Sequence, residues 1–211
     1  MVRVSEIEML RGRRVKITLD NGDTYLLLKS IWQDRPLEIN QAVDAAEYAE
    51  WVLQRQYRSA LDKAVAMLAQ RPCSRGEIEK KLKTVGYSVD TVEMVLFKLD
   101  SNGLLNDAEF ADQWARYRAG QKLGPRRIAR ELRYQKGLSP EDTENAILAL
   151  PEEDQLEAAV SLARKAMNRV KPGEDIRKTR QRILSALVRR GYDWDMARQA
   201  VDQVLGNEEE W

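Results

Sequence analysis

The first thirty residues alternate apolar and polar side chains in the manner of half-buried strands. Residues 13–19 alternate after the Arg13-Arg14 pair, and residues 24–28 resume an extended apolar pattern. Between them lies Asn21-Gly22, a pair that tolerates positive φ at both central positions of a type I′ turn. Because a lone hairpin is marginal in water, we expect a third strand near residues 4–10, or a helix against it. The pattern predicts an N-terminal β-hairpin module over residues 1–39, with a structural role favoured over a binding role.

From residue 40 onward the apolar period becomes helical. One stripe comprises Ala42, Ala45, Ala46, Ala49, Val52 and Leu53. Asn40 precedes this stripe and is a suitable N-cap. The helix either continues through Tyr57 toward Leu68 or breaks near Arg58, and the sequence leaves both open. We assign residues 40–59 to a connecting helix.

The rest of the chain repeats one apolar pattern three times. Each copy has an isoleucine, a leucine four residues later, and then a glycine: Ile78, Leu82 and Gly86; Ile128, Leu132 and Gly137; Ile183, Leu187 and Gly191. The glycines are 51 and 54 residues apart, and an apolar residue follows each of them at the same distance, namely Val95, Ala146 and Ala200. A shared period of this length indicates a repeat architecture. The pattern predicts three-helix repeats over residues 60–105, 106–150 and 151–205, followed by an acidic tail over residues 206–211.

Helix start and stop signals fall at equivalent places in these repeats. Each glycine suits the left-handed end of a second helix, and a short polar residue follows it as the N-cap of a third: Ser88, Ser139 and Asp193. Ser74 and Glu77 have the spacing of a capping box. The first helices are predicted to bury Leu61, Val65 and Leu68; Phe110, Ala111 and Trp114; and Leu156, Ala159 and Ala163. Agreement between caps, spacing and period predicts a mainly α fold.

The composition excludes several kinds of catalytic and metal-binding site. The chain has no histidine and one cysteine, Cys73, so histidine-based triads, thiolate clusters and an internal disulfide are excluded. The chain also lacks a glycine-rich phosphate loop. Taken together, these absences lead us to expect no catalytic residues, no cofactor and no metal. No apolar run approaches the ~20 residues of a membrane span. A cytoplasmic protein without membrane association is expected.

Several spaced motifs in the second repeat resemble the RecX family. The segment Gly103-Leu104-Leu105-Asn106-Asp107, followed by Phe110-Ala111, Trp114 and Arg118, is similar to the central signature of that family. Gly124-Pro125-Arg126-Arg127-Ile128, Glu131-Leu132 and Lys136-Gly137-Leu138 continue it. The resemblance is densest over residues 61–149 and looser to residue 205. Asn106 stands where aspartate is commoner, and Gly191-Tyr192 is a diverged third copy.

The resemblance implies a fold and a function. The fold would be tandem three-helix units in an elongated, curved array, with the N-terminal extension of the longer family members. The function would be binding to the RecA filament on single-stranded DNA. Binding would depress the ATPase, strand-exchange and coprotease activities of RecA, and so modulate recombination, DNA repair and the SOS response.

The layout of charge indicates a binding role independently of the resemblance. The chain carries 35 basic and 34 acidic residues, yet residues 116–136 hold eight basic residues and one acid, Glu131. Residues 164–190 hold ten basic residues against Glu174 and Asp175. The candidate partner-binding residues are Arg116, Arg118, Lys122, Arg126, Arg127, Arg130, Arg133, Lys178, Arg182 and Arg189. Arg126, Arg130 and Arg133 recur on one helical face, whereas Arg127 is placed to pair with Glu131.

Three interpretations remain open. The first is the filament regulator, expected as a monomer that contacts single-stranded DNA weakly or indirectly. The second is a helix-turn-helix-like DNA-binding module, with Tyr117 and Tyr134 available to stack on bases. The third is a helical scaffold for another acidic partner. A solvated helix face would account for any single arginine, but two clusters at corresponding positions favour a ligand surface.

Overall fold

A computed structural model describes residues 1–170 and 174–206 of the chain. It divides into two compact units, Met1–Asn106 and Asp107–Trp211. Apart from Gly206, the predicted acidic tail lies outside the described residues, and so does Lys171 of the second basic segment. None of the helices in the described ranges has both the length and the apolar character needed to cross a bilayer.

The first unit opens with an antiparallel sheet in the order β3-β2-β1-β4 among the described residues. Its strands are β1 (Val2–Leu10), β2 (Arg14–Leu19), β3 (Thr24–Leu28) and β4 (Ala42–Val43). The predicted hairpin is confirmed, because β2 pairs with β3 from Arg14–Leu28 to Thr18–Thr24. The expected third strand is confirmed as β1, which pairs with the edge of β2 opposite β3. Strand β4 had no signal in the sequence.

The turn of the hairpin differs from the predicted type I′. Gly22 has a φ of 91°, whereas Asn21 keeps a negative φ. The Gly22 N–H donates to the Leu19 carbonyl at 3.0 Å, and the side-chain oxygen of Asn21 accepts from the Asp23 N–H at 3.1 Å. Asn21 therefore stabilises the loop through its side chain, and glycine alone supplies the positive φ of a bulged turn.

Helix α1 (Lys29–Asp34) leads to the long helix α2 (Ala45–Gln70). The predicted N-cap Asn40 is wrong: the cap is Asp44, whose Oδ1 accepts from the N–H groups of Ala46 and Glu47. Asn40 instead has a φ of 68° and donates its N–H to the Val4 carbonyl. Sheet pairing through β4 delays the helix by four residues. Helix α2 then continues without a break past Arg58, which settles the alternative that the sequence left open.

The buried face of α2 also differs from the predicted stripe. Residues at a spacing of four point inward, namely Tyr48, Val52, Gln56, Ala60 and Ala64. Leu53 and Val65, both predicted to be buried, are 40% and 45% exposed. Of the predicted stripe, Val52 is the one residue that is buried, and the small Ala60 and Ala64 at the contact allow the helices of the first repeat to approach closely.

Helices α3 (Arg75–Val85) and α4 (Val89–Ser101) complete the first repeat. The Ser74–Glu77 capping box is confirmed, and so are Gly86, with a φ of 108°, and the Ser88 N-cap. The sheet and this repeat share one core, in which Ile17 and Leu27 of the sheet join Ile78 and Leu82 of α3. The N-terminal strands are thus part of the first unit's core.

The second unit contains the other two repeats. The second repeat has α5 (Asp107–Gly120), α6 (Pro125–Arg130), a π-helical segment (Glu131–Gln135) and α7 (Pro140–Leu148). The third repeat has α8 (Glu152–Met167), α9 (Ile176–Arg190) and α10 (Trp194–Leu205). The repeat pattern is confirmed, because Ile128, Leu132, Ile183 and Leu187 are all at most 2% exposed. Gly137 and Gly191 have φ values of 70° and 102°.

The π-helical segment accommodates one extra residue. Four residues separate Leu132 from Gly137, whereas three separate the corresponding leucine and glycine in the other repeats. In the first repeat the Tyr87 N–H closes the helix end on the Leu82 carbonyl, and in the second the Leu138 N–H closes on Leu132, one residue further. The wider turn, marked by the Lys136 N–H donating to the Glu131 carbonyl, absorbs the insertion and keeps the core pattern.

Candidate interaction surface

The basic residues of the second repeat begin at the start of α6. Arg126 and Arg130 are one helical turn apart and both exposed, and Arg133 is exposed in the π-helical segment that follows. Among the described residues, no carboxylate lies within ion-pairing distance of these three arginines. Because a π-helical turn holds more residues than an α-helical turn, Arg133 is rotated away from its predicted α-helical position. Three guanidinium groups are therefore available to a partner.

Arg118 has a structural role that the sequence did not indicate. Its Nε and a terminal nitrogen each donate to Glu131 at 2.7 Å, and the Glu131 residue is 5% exposed. Hydrogen bonding to Arg118 lowers the pKa of Glu131, and the same bonds raise the pKa of Arg118. The predicted pairing of Arg127 with Glu131 is present at 3.5 Å. The Arg118–Glu131 pair thus ties α5 to the π-helical segment, and we leave Arg118 out of the binding surface.

Arg116 and Lys122 lie in a second location within this unit. Both line a cavity of about 680 Å³ between α5 and α8. The Lys122 Nζ donates to the Ser161 Oγ at 2.6 Å, so this lysine connects the second repeat to the third. Arg126, Arg130 and Arg133 do not line this cavity.

The third repeat contributes the basic face of α9. Lys178, Arg182 and Arg189 are all exposed. Arg182 is paired with Glu174 at 2.6 Å, which neutralises part of its charge. Among the described residues, neither Lys178 nor Arg189 has such a carboxylate partner. Arg189, at the C-terminal end of α9, is the member of this row that lies next to the second repeat.

A glycine-to-glycine contact joins the two basic helices. The Gly124 N–H donates to the Arg190 carbonyl at 3.1 Å, and the Arg126 N–H donates to the Gly191 carbonyl at 3.0 Å. A Cβ on Gly124 would lie 2.2 Å from the backbone of Gly191 and Tyr192. A Cβ on Gly191 would lie 2.4 Å from the Cβ of Arg127. Only glycine at both positions lets the N-terminal end of α6 meet the C-terminal end of α9.

Arg190 reinforces this junction from the side. Its Nε donates to the Lys122 carbonyl at 2.6 Å and a terminal nitrogen donates to the Gln121 carbonyl at 2.9 Å. The contact spans 68 residues of sequence. The sequence did not identify Arg190 or Gly124 as junction residues. The one local feature that pointed to a contact there was the Gly-Pro pair before α6.

Aromatic residues border the basic segment on α5 and the π-helical segment. Trp114 stacks on Phe110 with ring centroids 6.2 Å apart, and the Lys136 Nζ lies 3.9 Å from the Trp114 ring centroid. This confirms a packing role for Trp114. Tyr117 and Tyr134 are 58% and 76% exposed, so both rings remain accessible beside the arginines.

Family models match the three repeats in order. Residues 60–99 match the first three-helix domain of RecX, residues 106–147 the second and residues 152–201 the third. Each match includes the isoleucine and leucine pair of its repeat.

Curated relatives and solved structures agree with these matches. Regulatory protein RecX of Prosthecochloris aestuarii is 38% identical over 71% of this chain and 96% of its own length. The protein of the same name from Mycolicibacterium smegmatis is 36% identical over 68% of this chain and 78% of its own. A crystal structure of regulatory protein RecX superposes with a TM-score of 0.67 at 25% identity, covering 96% of this chain and 100% of that one. The chain therefore belongs to the RecX family.

Proposed function

We propose that this protein is a non-enzymatic regulator that binds the RecA filament on single-stranded DNA. Binding inhibits the ATPase, strand-exchange and coprotease activities of RecA, and so modulates recombination, DNA repair and the SOS response. Membership of the RecX family supports the general role. The observation that carries the proposal is the group of exposed arginines without carboxylate partners among the described residues, which the glycine junction fixes beside α9.

The mechanism follows from the chemistry of these arginines. A guanidinium group donates two parallel hydrogen bonds to a carboxylate or a phosphate, which gives both affinity and orientation. A filament of protein on DNA presents both groups. Once the protein is bound, it would restrain the subunit rearrangements that RecA needs for each cycle of ATP hydrolysis.

A titration of RecA tests the inhibition directly. The rate of ATP hydrolysis by RecA on single-stranded DNA is measured while this protein is added. We expect the rate to fall as the protein binds, with inhibition well before one molecule per RecA protomer. An unchanged rate at equimolar protein, together with no co-sedimentation with the filament, would refute the proposal.

Charge reversal tests the arginine surface. Replacing Arg126, Arg130 and Arg133 by glutamate should weaken inhibition by at least about tenfold, because each change replaces attraction with repulsion at the interface. Replacing Arg58, Lys80 and Lys81 by glutamate is the matched control, since these residues are exposed in the first unit and make the same change in net charge. Equal loss in both variants would indicate a non-specific effect of charge.

Direct binding to single-stranded DNA is the second candidate, favoured by the exposed ring of Tyr134 next to Arg133. Aromatic rings beside arginines stack on bases of any sequence. Binding to naked single-stranded DNA should then weaken steeply with salt. Tyr134→Ala should lower that affinity while leaving inhibition of preformed RecA filaments unchanged if the regulator acts mainly through protein contacts.

A further inference from the structure

A groove lies beside the glycine junction, between the second and third repeats. Its volume is about 320 Å³. Its floor is apolar and includes Leu162, Ala166, Ile183 and Leu187 from α8 and α9. Arg127 and Arg189 line it together with the small residue Ala186, and all three are exposed. The groove thus combines an apolar floor with Arg189 of the third repeat and Arg127 of the second, and Glu131, 3.5 Å from Arg127, offsets part of the charge of Arg127.

The presence of Arg127 at the groove depends on the close approach of the two repeats. Arg127 belongs to α6, yet its Cβ lies where a side chain on Gly191 would begin. The Arg190 side chain also connects the two repeats, because it donates hydrogen bonds to the carbonyls of Lys122 and Gln121. The third repeat supplies the apolar floor and Arg189, and the second repeat supplies Arg127.

We propose that this groove is a docking site for an acidic segment of the partner protein. An apolar side chain of that segment enters the groove, and carboxylates on either side of it pair with Arg127 and Arg189. The inference rests on the proposed function, since the partner segment belongs to a subunit of the RecA filament. It assigns to the interface a central apolar anchor with a charged rim, which is the arrangement of an energetic hot spot.

The composition of the groove favours a protein segment over a nucleic-acid backbone. A phosphodiester chain would gain from the two arginines but would leave the apolar floor without a partner. An amphipathic acidic segment satisfies both parts at once, because it buries apolar area and neutralises the cations. The mouth residue Ala186 is small, which leaves room for an incoming side chain.

Filling the groove tests the apolar part of the proposal. Ala186→Phe places a ring at the mouth of the groove from an exposed position, so the core of the third repeat is not altered. Gln181→Phe is the matched control, because it puts the same ring on an exposed position of α9 that does not line the groove. Far-UV circular dichroism and thermal unfolding verify that both variants fold as the wild type does.

The readout is the affinity of each variant for RecA filaments on oligo(dT), measured alongside affinity for naked oligo(dT). We expect Ala186→Phe to bind the filament about tenfold or more weakly, as for loss of a hot spot, with Gln181→Phe unchanged. Arg189→Glu should weaken filament binding similarly, whereas Arg177→Glu at the other end of α9 should not. If the groove binds an acidic protein segment, Ala186→Phe and Arg189→Glu should weaken filament binding and leave the affinity for naked oligo(dT) unchanged. If the groove binds phosphate, both affinities should fall by the same factor.

The outcomes separate this inference from the proposed function. If the wild type and Ala186→Phe bind the filament equally well, the proposed docking site is refuted, but the proposed function as a RecA regulator is not. If Ala186→Phe weakens binding to the filament and to naked DNA by the same factor, the groove binds nucleic acid and the proposal of a protein segment is overturned. If the wild type fails to bind the filament, the proposed function and this inference both fall.

Discussion

Tyr87 and Tyr192 follow equivalent glycines in two repeats, yet their hydroxyl groups have different surroundings. Both rings are buried. The Tyr87 hydroxyl lies 2.7 Å from the Ser59 Oγ and forms a hydrogen bond with it. The Tyr192 hydroxyl is buried without a hydrogen-bond partner among the described residues, and burial raises its pKa to about 12.

Removing each hydroxyl should therefore have opposite effects on stability. Tyr87→Phe should lower the free energy of unfolding by about 1 kcal/mol, because it leaves Ser59 without its partner. Tyr192→Phe should leave it unchanged or raise it by about 1 kcal/mol, because the buried hydroxyl makes no compensating bond. Urea unfolding at neutral pH measures both. A large destabilisation by Tyr192→Phe would show that its hydroxyl has a partner.

Glu131 makes the stability of the second unit depend on pH in the acid range. Because Arg118 lowers its pKa in the folded state below the ordinary value of 4.5, the carboxylate stabilises the fold fully above that value. This contribution is lost as the pH falls through the lowered pKa. Glu131→Gln should destabilise the protein by about 2 kcal/mol near neutrality, and the difference from wild type should shrink in acid.

A pH series of urea unfolding experiments measures this difference. Glu144→Gln is the control, since Glu144 is an exposed carboxylate of the same repeat. A constant difference between Glu131→Gln and wild type at every pH would contradict the linkage. The sequence could show only part of this site: the Arg127 pair follows from a spacing of four, but the Arg118 pair joins two elements whose packing no local pattern specifies.

At the scale of the elements, Gly124 and Gly191 need glycine for different reasons. Gly191 has both a positive φ and a close neighbour. Gly124 has a φ of −75°, which any residue adopts, so only the close approach of Gly191 and Tyr192 requires glycine there. The repeat alignment therefore identified Gly191 as a helix end, whereas Gly124 is explained only by a contact distant in sequence.

Gly124→Ala should separate the second and third repeats. The added Cβ would meet backbone atoms at 2.2 Å, which cannot move aside as a side chain can. We expect a loss of about 1–3 kcal/mol in unfolding free energy, as for other overpacked sites, together with weaker filament binding. Gly120→Ala is the control, because an added Cβ there meets no described atom within 4 Å beyond its chain neighbours and its own helix backbone, so stability should hardly change. Equal stability in both variants would contradict the junction.

The helices illustrate which elements a single sequence can define. Starts with a short polar cap directly before an apolar repeat were predicted to the residue, as at Ser88 and Ser139. The start of α2 was misplaced because Asn40 and Ala42 serve the sheet, a long-range pairing that competes with local helix signals. The π-helical segment likewise depends on where the core requires Leu132 and Leu138.

At the scale of the whole molecule, the charge layout matters more than the sum. The net charge is +1, yet all ten residues first singled out for partner binding lie in the second unit. The first unit instead shares one core between its sheet and its repeat. Period, caps and family resemblance were enough to predict the repeats, whereas the grouping of arginines depends on how repeats pack, which periodicity does not encode.

This division predicts that residues 107–211 fold and act without the first unit. The apolar clusters of the second and third repeats draw their described residues from within that range, so the fragment keeps both cores and the glycine junction. We expect a cooperative urea transition and inhibition of the RecA ATPase at higher concentrations than the full chain. Residues 1–106, which form the other unit, are the control and should fold without inhibiting. A fragment 107–211 that folds cooperatively yet never inhibits would show that the first unit supplies contacts essential for binding.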